Sequence, residues 1–230
     1  MPTLALPDRL RRMTMNRQAA LDTITTAARR ANLGALLLIG SLGRGGGDAW
    51  SDLDLIAVGD AADPSFDLAD VFGNRVLATV DAPREAPVGG SYRGVCLEIA
   101  DGVLWLDWYH WPVATAAVPA DATPIYDDLG LPASPLAFVP LITEHSDPTA
   151  PGASGGAAVL LRVAVAAKYL ARSDAAKLAA KIPETAGLRL DQTAGRLHAM
   201  AVSATEPELS AAVTATLRLV ELAEAARADS

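Results

Sequence analysis

The sequence is poor in the residues that build disulfides and Cys/His metal centres. It has one cysteine, Cys96, and three histidines among 230 residues. A lone cysteine cannot form an internal disulfide, which agrees with a reducing compartment. A structural zinc site needs a cluster of cysteine and histidine ligands, and the sequence contains none. These shortages exclude a disulfide scaffold and a Cys/His metal site.

Long apolar runs and an excess of basic residues are also missing. The apolar runs near the N-terminus fall far short of the roughly 20 residues that a membrane helix needs, and no charged and then apolar leader is present. We therefore expect a cytoplasmic protein that does not bind a membrane. The 27 acidic residues outnumber the 19 basic ones, which gives a net charge of −8. Because nucleic-acid affinity depends on neutralising phosphates, this charge argues against a nucleic-acid partner and favours a cationic small molecule.

A glycine-rich loop stands out in what remains. Residues 36–39 form a short apolar run bounded by glycines, which is typical of a buried strand. Gly40-Ser41 ends this run, and the glycines at 45–47 allow backbone angles that other residues avoid. The loop can therefore fold around a ligand with its N–H groups turned inward, and an anion is the natural ligand.

Two aspartates follow the loop. From residue 52 the sequence reads DLDL, so Asp52 and Asp54 fall on one face of a second strand and the leucines on the other. Two carboxylates this close repel each other unless a cation lies between them.

The spacing of Gly40-Ser41, ten residues and Asp52-x-Asp54 resembles the signature of the polymerase-beta-like nucleotidyltransferase superfamily. The best match within it is the antibiotic nucleotidyltransferase group, which adenylylates aminoglycosides and lincosamides. The resemblance implies an α/β (α+β) nucleotidyltransferase domain with a mixed sheet, followed by an all-α helical bundle domain. It also implies ATP or another nucleoside triphosphate as co-substrate and two Mg²⁺ ions. Members of the group often pair, so a homodimer stays open.

A β-hairpin with a two-residue turn is predicted at Asp101-Gly102. This turn would place Glu98 opposite Trp105 and diagonally near Asp107, on one face of the sheet. In the resembled superfamily a third acidic residue on a later strand completes the metal site, and Asp107 matches that position.

The chemistry of nucleotide transfer assigns roles to the carboxylates. The phosphates must be neutralised and the acceptor hydroxyl must be placed in line with the leaving pyrophosphate, and two divalent ions can do both. We assign Asp52 and Asp54 as metal ligands. Asp107 either binds the second ion or takes the acceptor proton, and Glu98 is a second candidate for this base.

The nucleotide-binding candidates are Gly40, Ser41, Arg44 and Lys168. The Ser41 hydroxyl and the N–H groups after Gly40 would hold the terminal phosphates, and Arg44 could reach them with its guanidinium. The resemblance supports Arg44, since a basic residue follows Gly-Ser in many relatives. Lys168 lies in a segment that resembles a lysine-containing helix that reaches the triphosphate in the antibiotic nucleotidyltransferases.

With 51% apolar residues, the chain can form one large domain or two small ones. We predict a catalytic domain at 1–147, a linker at 148–156 and a helical bundle at 157–230. In chain order, the predicted elements are helix 8–31, strands 35–39 and 52–58, a short helix 66–73 opened by Asp63-Pro64-Ser65, strands 76–80, 92–100 and 103–109, an extended piece 123–126, and helices 156–172, 174–182, 190–203 and 207–227. Residues 111–151 show no other periodicity, and the loop at 81–90 is expected to shape the acceptor pocket.

Three classes of function stay open. The leading one transfers AMP, or another nucleoside monophosphate, to a hydroxyl of a small molecule such as an aminoglycoside or lincosamide, which would confer antibiotic resistance. The second is a toxin–antitoxin type nucleotidyltransferase that modifies a protein or RNA. The third is a nucleotide-binding protein of the same fold without turnover. The acidic charge favours a small acceptor over RNA, and the three carboxylates favour turnover.

Overall fold

A computed structural model describes residues 4–60 and 66–228. The described residues form eight α-helices: α1 Leu6–Arg30, α2 Gly40–Gly43, α3 Leu68–Phe72, α4 Phe138–His145, α5 Gly155–Ala171, α6 Ala175–Lys181, α7 Leu190–Val202 and α8 Ser210–Ala228. The strands are β1 Ala35–Leu38, β2 Leu53–Gly59, β3 Val76–Asp81, β4 Ser91–Ile99, β5 Gly102–Pro112 and β6 Thr123–Asp127. The expectation of a mixed sheet with helices is confirmed.

All of these strands join one sheet in the order β3-β4-β5-β2-β1-β6. Neighbouring strands are antiparallel except β2 and β5, which are parallel. The parallel pair lies in the middle of the sheet, and both strands are almost fully buried. This agrees with the rule that parallel strands are covered on both faces.

Helices cover both faces of the sheet. The alternation in β2 sends Leu55 into the apolar cluster that contains Ile24 of α1, and Ile56 into the cluster that contains Phe138 and Leu141 of α4. α4 was not predicted, because residues 111–151 are rich in proline and show no helical periodicity. Its proline, Pro140, lies in the first turn, where a missing N–H costs no helical hydrogen bond.

The C-terminal helices pack on the sheet as well as on one another. α5 contacts α6, α7 and α8, and both α5 and α8 contact β3 and β5. One continuous apolar cluster includes Leu160, Leu197 and Leu219 of these helices and Leu106 of β5. The division into two domains at 148–156 stays a prediction, and α5 begins inside that interval.

The hairpin register differs from the prediction. The turn residues are Ala100 and Asp101, and Ile99 pairs with Gly102. Glu98 therefore lies opposite Val103 instead of Trp105. It stays on the predicted face of the sheet, since the shift of two residues equals one side-chain period.

Most other boundaries agree with the predictions to within a few residues. The helix predicted at 66–73 is shorter, because α3 begins at Leu68 with Asp67 as its N-cap, whose Oδ1 accepts a 2.8 Å hydrogen bond from Ala69 N–H. The predicted opening at Asp63-Pro64-Ser65 lies outside the described residues. Among residues 4–60 and 66–228, no helix has the length and apolar character that crossing a membrane requires.

Candidate active site

Three carboxylates meet where β2 and β5 run side by side. Asp52 directly precedes β2, and Asp54 lies within it. The parallel register places Asp54 beside Asp107 of β5, and the two side chains are hydrogen-bonded. The Tyr92 hydroxyl of β4 donates a 2.8 Å hydrogen bond to Asp107 Oδ1. The structure thus brings all three predicted metal ligands together.

The environment of this cluster opposes negative charge. Burial raises the pKa of Asp54 well above its ordinary value, and repulsion from Asp107 and Asp52 raises it further. Burial and the charge of Asp52 also raise the pKa of Asp107, against the opposite effect of the hydrogen bond from Tyr92. A proton shared by Asp54 and Asp107 relieves the repulsion, and a divalent cation would relieve it in the same place.

The donor set suits a hard cation, because three carboxylates supply only oxygen ligands. Within the described part of the chain, no group of three or more His, Cys, Asp or Glu side chains is arranged so that it could hold a metal ion, and this includes the three carboxylates as they stand. Asp52 is engaged by Lys168, and Asp54 by Asp107. Metal binding by this cluster stays a prediction.

Gly40 lets the chain pass close to the carboxylates. Its φ of +68° lies in the left-handed region, and a Cβ at this position would collide with Asp54 Oδ2. The residue therefore has to be glycine for two separate reasons, backbone conformation and lack of space. Gly40 begins α2, which is a single turn instead of the open loop that was expected.

The loop after α2 is held by its own hydrogen bonds. The N–H groups of Gly45 and Gly46 donate 2.9 Å hydrogen bonds to the carbonyl oxygens of Leu42 and Ser41. The prediction that the N–H groups of the glycine run point at an anion is therefore wrong for these two glycines. The strand that precedes the loop was predicted at 35–39 and lies at Ala35–Leu38.

A hydroxyl pair closes the other end of the loop. Ser41 Oγ donates to Ser51 Oγ at 2.9 Å, and Ser51 Oγ also accepts from Asp48 N–H at 3.0 Å. The buried Arg17 of α1 donates to the carbonyl oxygens of Asp48 and Ser51 at 2.7 and 3.0 Å. These contacts fix the position of Ser41 next to the carboxylates.

α5 contributes two cations to the site, one helical turn apart. Lys168, which is only 5% exposed, forms an ion pair with Asp52. Arg172 follows the end of α5, and its Nε and Nη2 donate to Asp48 Oδ2 and Oδ1 at 2.8 and 2.6 Å. Such a two-point contact fixes both partners more firmly than a single bond. The helix around Lys168 is present, and its ammonium contacts Asp52; that Lys168 reaches a triphosphate stays a prediction.

A cavity of about 330 Å³ lies between the loop, the start of β2 and α5. This volume falls within the range of small-molecule sites. Its walls carry both signs of charge, from Asp52, Asp54, Arg44, Lys168, Arg172 and Lys177. Arg44 is half-exposed, lines the cavity and contacts Asp121 Oδ2 at 3.3 Å; that it binds phosphates stays a prediction.

Glu98 is not part of this arrangement. It is exposed, and its partner Val103 lies four residues along β5 from Asp107, which corresponds to about 13 Å of strand. Glu98 is therefore no longer a candidate for the base. Trp105 and Trp111 of β5 are fully buried in the core.

A second cavity, of about 420 Å³, is formed by the loop at 81–90. Tyr92 lines it, and the hydroxyl of the same residue contacts Asp107. Tyr92 therefore contacts both this cavity and the carboxylate cluster. That the loop shapes an acceptor pocket stays a prediction.

Sequence reasoning missed Tyr92, Asp48 and Ser51. The correct hairpin register would have found Tyr92, because it puts Gly94 opposite Asp107 and Tyr92 one side-chain period away. Asp48 and Ser51 lie in the loop and carry no pattern of their own.

No family model matches the sequence, and the curated proteins contain no match to it.

Proposed function

We propose that this protein is a metal-dependent nucleotidyltransferase of the polymerase-beta-like superfamily, which transfers AMP from ATP to a hydroxyl group of a small molecule. The observation that carries the proposal is the pairing of two kinds of charge in one cavity. Asp52 and Asp54, with Asp107 behind them, supply oxygen ligands for cations, and the basic side chains of α5 supply partners for phosphates.

The nucleotide would occupy the cavity beside α5. Arg172 and Lys177 would contact its phosphates, together with Arg44 and the Ser41 hydroxyl from the loop. Mg²⁺ bound by Asp52 and Asp54 would neutralise the charge of the phosphates and of the leaving pyrophosphate. The surrounding cations add to this neutralisation, so the acidic chain can still bind a polyanion.

The transfer step follows from this placement. The acceptor oxygen forms a bond to the α-phosphorus, the bond between the α-phosphorus and the bridging oxygen to the β-phosphate breaks, and pyrophosphate leaves with that electron pair. Asp107 takes the proton of the acceptor hydroxyl. Its raised pKa brings it closer to neutral pH, where a general base is most effective.

The acceptor would approach Asp107 from the cavity at 81–90. This cavity has room for a small molecule, and Tyr92 connects its wall to Asp107. The acceptor class rests on the sequence resemblance, so aminoglycosides and lincosamides are the first compounds to screen.

The first test is calorimetric titration with a non-hydrolysable ATP analogue in the presence and absence of Mg²⁺. Wild-type protein should bind only with the metal. Asp52→Asn and Asp54→Asn should weaken the metal-dependent binding by about two orders of magnitude, because each removes a charged metal ligand. Glu98→Gln is the matched control, since it neutralises an exposed carboxylate outside the cluster and should bind as wild type does.

Turnover is then measured as pyrophosphate release in the presence of candidate acceptors. Asp107→Asn should bind the analogue and Mg²⁺ normally but lose most of the release, because it removes the base. Loss of metal binding in Asp107→Asn would instead identify Asp107 as a metal ligand. If no nucleoside triphosphate binds wild-type protein with any divalent cation, the nucleotidyltransferase proposal is wrong.

A further inference from the structure

We propose that Lys168 occupies the place of a divalent cation at Asp52 and moves to the phosphates when a triphosphate binds, so that triphosphate and cation bind cooperatively. This inference rests on the proposed function, and it concerns the order of events at the same site. It makes Lys168 a residue with two partners, a carboxylate before substrate binding and a phosphate afterwards.

The ammonium group of Lys168 is buried next to the carboxylate of Asp52. Lys168 is 5% exposed, and the Asp52 side chain that it contacts is 17% exposed. A buried lysine needs a charged partner, because an unpaired buried charge is strongly unfavourable. Asp52 is that partner, and it is also the first of the proposed metal ligands.

The charge of Lys168 also acts on carboxylates other than Asp52. The positive charge of Lys168 favours the ionised forms of Asp54 and Asp107 as well. One ammonium group thus partly neutralises all three carboxylates, which is the task that a divalent cation would perform. A cation at Asp52 and the ammonium group of Lys168 therefore compete for one carboxylate.

The ammonium group of Lys168 has a second possible partner, the phosphates of a nucleotide in the cavity. Lys168 lines the same cavity as Arg172 and Lys177, in which the phosphates of a nucleotide would lie. The lysine stem is flexible and carries a compact charge, so its head can change partners without movement of α5. A triphosphate in the cavity would draw the ammonium away from Asp52 and leave a carboxylate open to the cation.

The consequence is a thermodynamic coupling that is the same in both directions. If triphosphate increases the affinity for the cation, the cation increases the affinity for triphosphate by the same factor. Removing Lys168 should therefore have opposite effects on the two measurements. Cation binding alone becomes tighter, and the gain that triphosphate adds becomes smaller.

The experiment measures Mn²⁺ binding by electron paramagnetic resonance, with and without a non-hydrolysable ATP analogue. The amount of Mn²⁺ that the analogue binds in the same buffer is measured without protein and subtracted from the bound Mn²⁺. Without the analogue, Lys168→Met should bind Mn²⁺ more tightly than wild type by a factor on the order of ten. With the analogue, the additional gain in Mn²⁺ affinity should be smaller in Lys168→Met than in wild type.

Arg162→Met is the matched control. It removes an exposed cation of the same helix that does not line the cavity. Its effect on Mn²⁺ binding without nucleotide should stay below about threefold, since it contributes only a general electrostatic effect. Lys168→Gln, whose amide can still donate to Asp52, replaces Lys168→Met if circular dichroism shows that the latter is unfolded.

Two results would overturn the inference. One is Mn²⁺ binding by the Lys168 variant that is no tighter than binding by Arg162→Met, because the ammonium then does not compete at Asp52. The other is an unchanged gain from the analogue, because Lys168 then does not move to the phosphates. If wild-type protein binds Mn²⁺ but no triphosphate, the proposed function fails, and the comparison of the variants without nucleotide still shows whether Lys168 competes with the cation.

Discussion

Replacing Gly40 by alanine tests whether the approach of the chain to Asp54 is essential to the site. An alanine at φ +68° costs about 1–2 kcal/mol of backbone strain. The new Cβ would also collide with Asp54 Oδ2, so the carboxyl group would have to give up its hydrogen bond with Asp107, which costs about another 1 kcal/mol. We expect a total loss of about 2–3 kcal/mol in the free energy of unfolding.

Gly45→Ala separates the two contributions. Gly45 lies in the same loop with φ +71°, but nothing lies within 4 Å of the position that its Cβ would take. This variant should show only the backbone cost of about 1–2 kcal/mol. Urea unfolding at pH 7 measures both variants, and Mn²⁺ binding should be weaker in Gly40→Ala but unchanged in Gly45→Ala.

A double-mutant cycle completes the test. In an Asp54→Ala background the collision is removed, so Gly40→Ala should then cost no more than Gly45→Ala does. Equal losses of stability for Gly40→Ala and Gly45→Ala in the wild-type background would refute the reasoning. The contact between the loop and the carboxylate would then be without energetic significance.

The remaining predictions concern the surroundings of the carboxylates. Because the pKa of Asp54 is higher in the folded chain than in the unfolded chain, folded protein binds more protons, and metal-free wild type should lose stability as pH rises from about 4 toward neutral. Asp54 contributes at most about 1.4 kcal/mol per pH unit to this loss, and Asp107, whose pKa is also raised, adds to it. Asp54→Asn should lose less in urea unfolding over the same range, and parallel curves would contradict this. Tyr92→Phe removes the donor to Asp107 and should lower the free energy of unfolding by about 1–2 kcal/mol and weaken Mn²⁺ binding, whereas Tyr126→Phe, which removes a 3.2 Å hydrogen bond far from the cluster, should leave Mn²⁺ binding unchanged. Burial raises the pKa of Cys96 to about 12, so an aromatic disulfide reagent at pH 8 should react with it only after unfolding, and rapid reaction of folded protein would show that the thiol is accessible.

The hairpin of β4 and β5 was predicted from a local turn signal, but its register was not. The Asp101-Gly102 pair was taken as the turn because Asp-Gly is a strong turn signal. Gly102 instead lies in β5, where a Cβ would come within 3.1–3.3 Å of Leu219 in α8. The glycine therefore answers a packing requirement between helix and strand. The residues next to Gly102 in the sequence give no indication of its packing against Leu219, so the register could not be predicted from the turn signal.

The face of each residue was nevertheless predicted correctly, because alternation in a strand is a local property. Asp107 was placed on the same face as Glu98, and the pairing of β4 with β5 confirms this, whereas Asp52 lies just before β2. What needed the structure was the distance along the strand. Asp107 contacts Asp54 through the parallel pairing of β2 and β5, and the shifted register moves Glu98 away from both.

Lys168 and Arg172 show how a long-range contact leaves a partial signal. They lie 116 and 124 residues from their partners Asp52 and Asp48, and no local rule links such positions. The helix around Lys168 is different, because it is rich in small and apolar residues that let it pack against neighbours on several sides. Arg162 faces solvent in the same helix, but Lys168 falls on the buried side. Since a buried ammonium must have a charged partner, the burial pattern of the helix predicts that Lys168 is paired. The identity of the partner depends on the packing of α5 against the sheet. As a result, the two aspartates of the DLDL segment have different partners: Asp52 contacts Lys168, and Asp54 contacts Asp107.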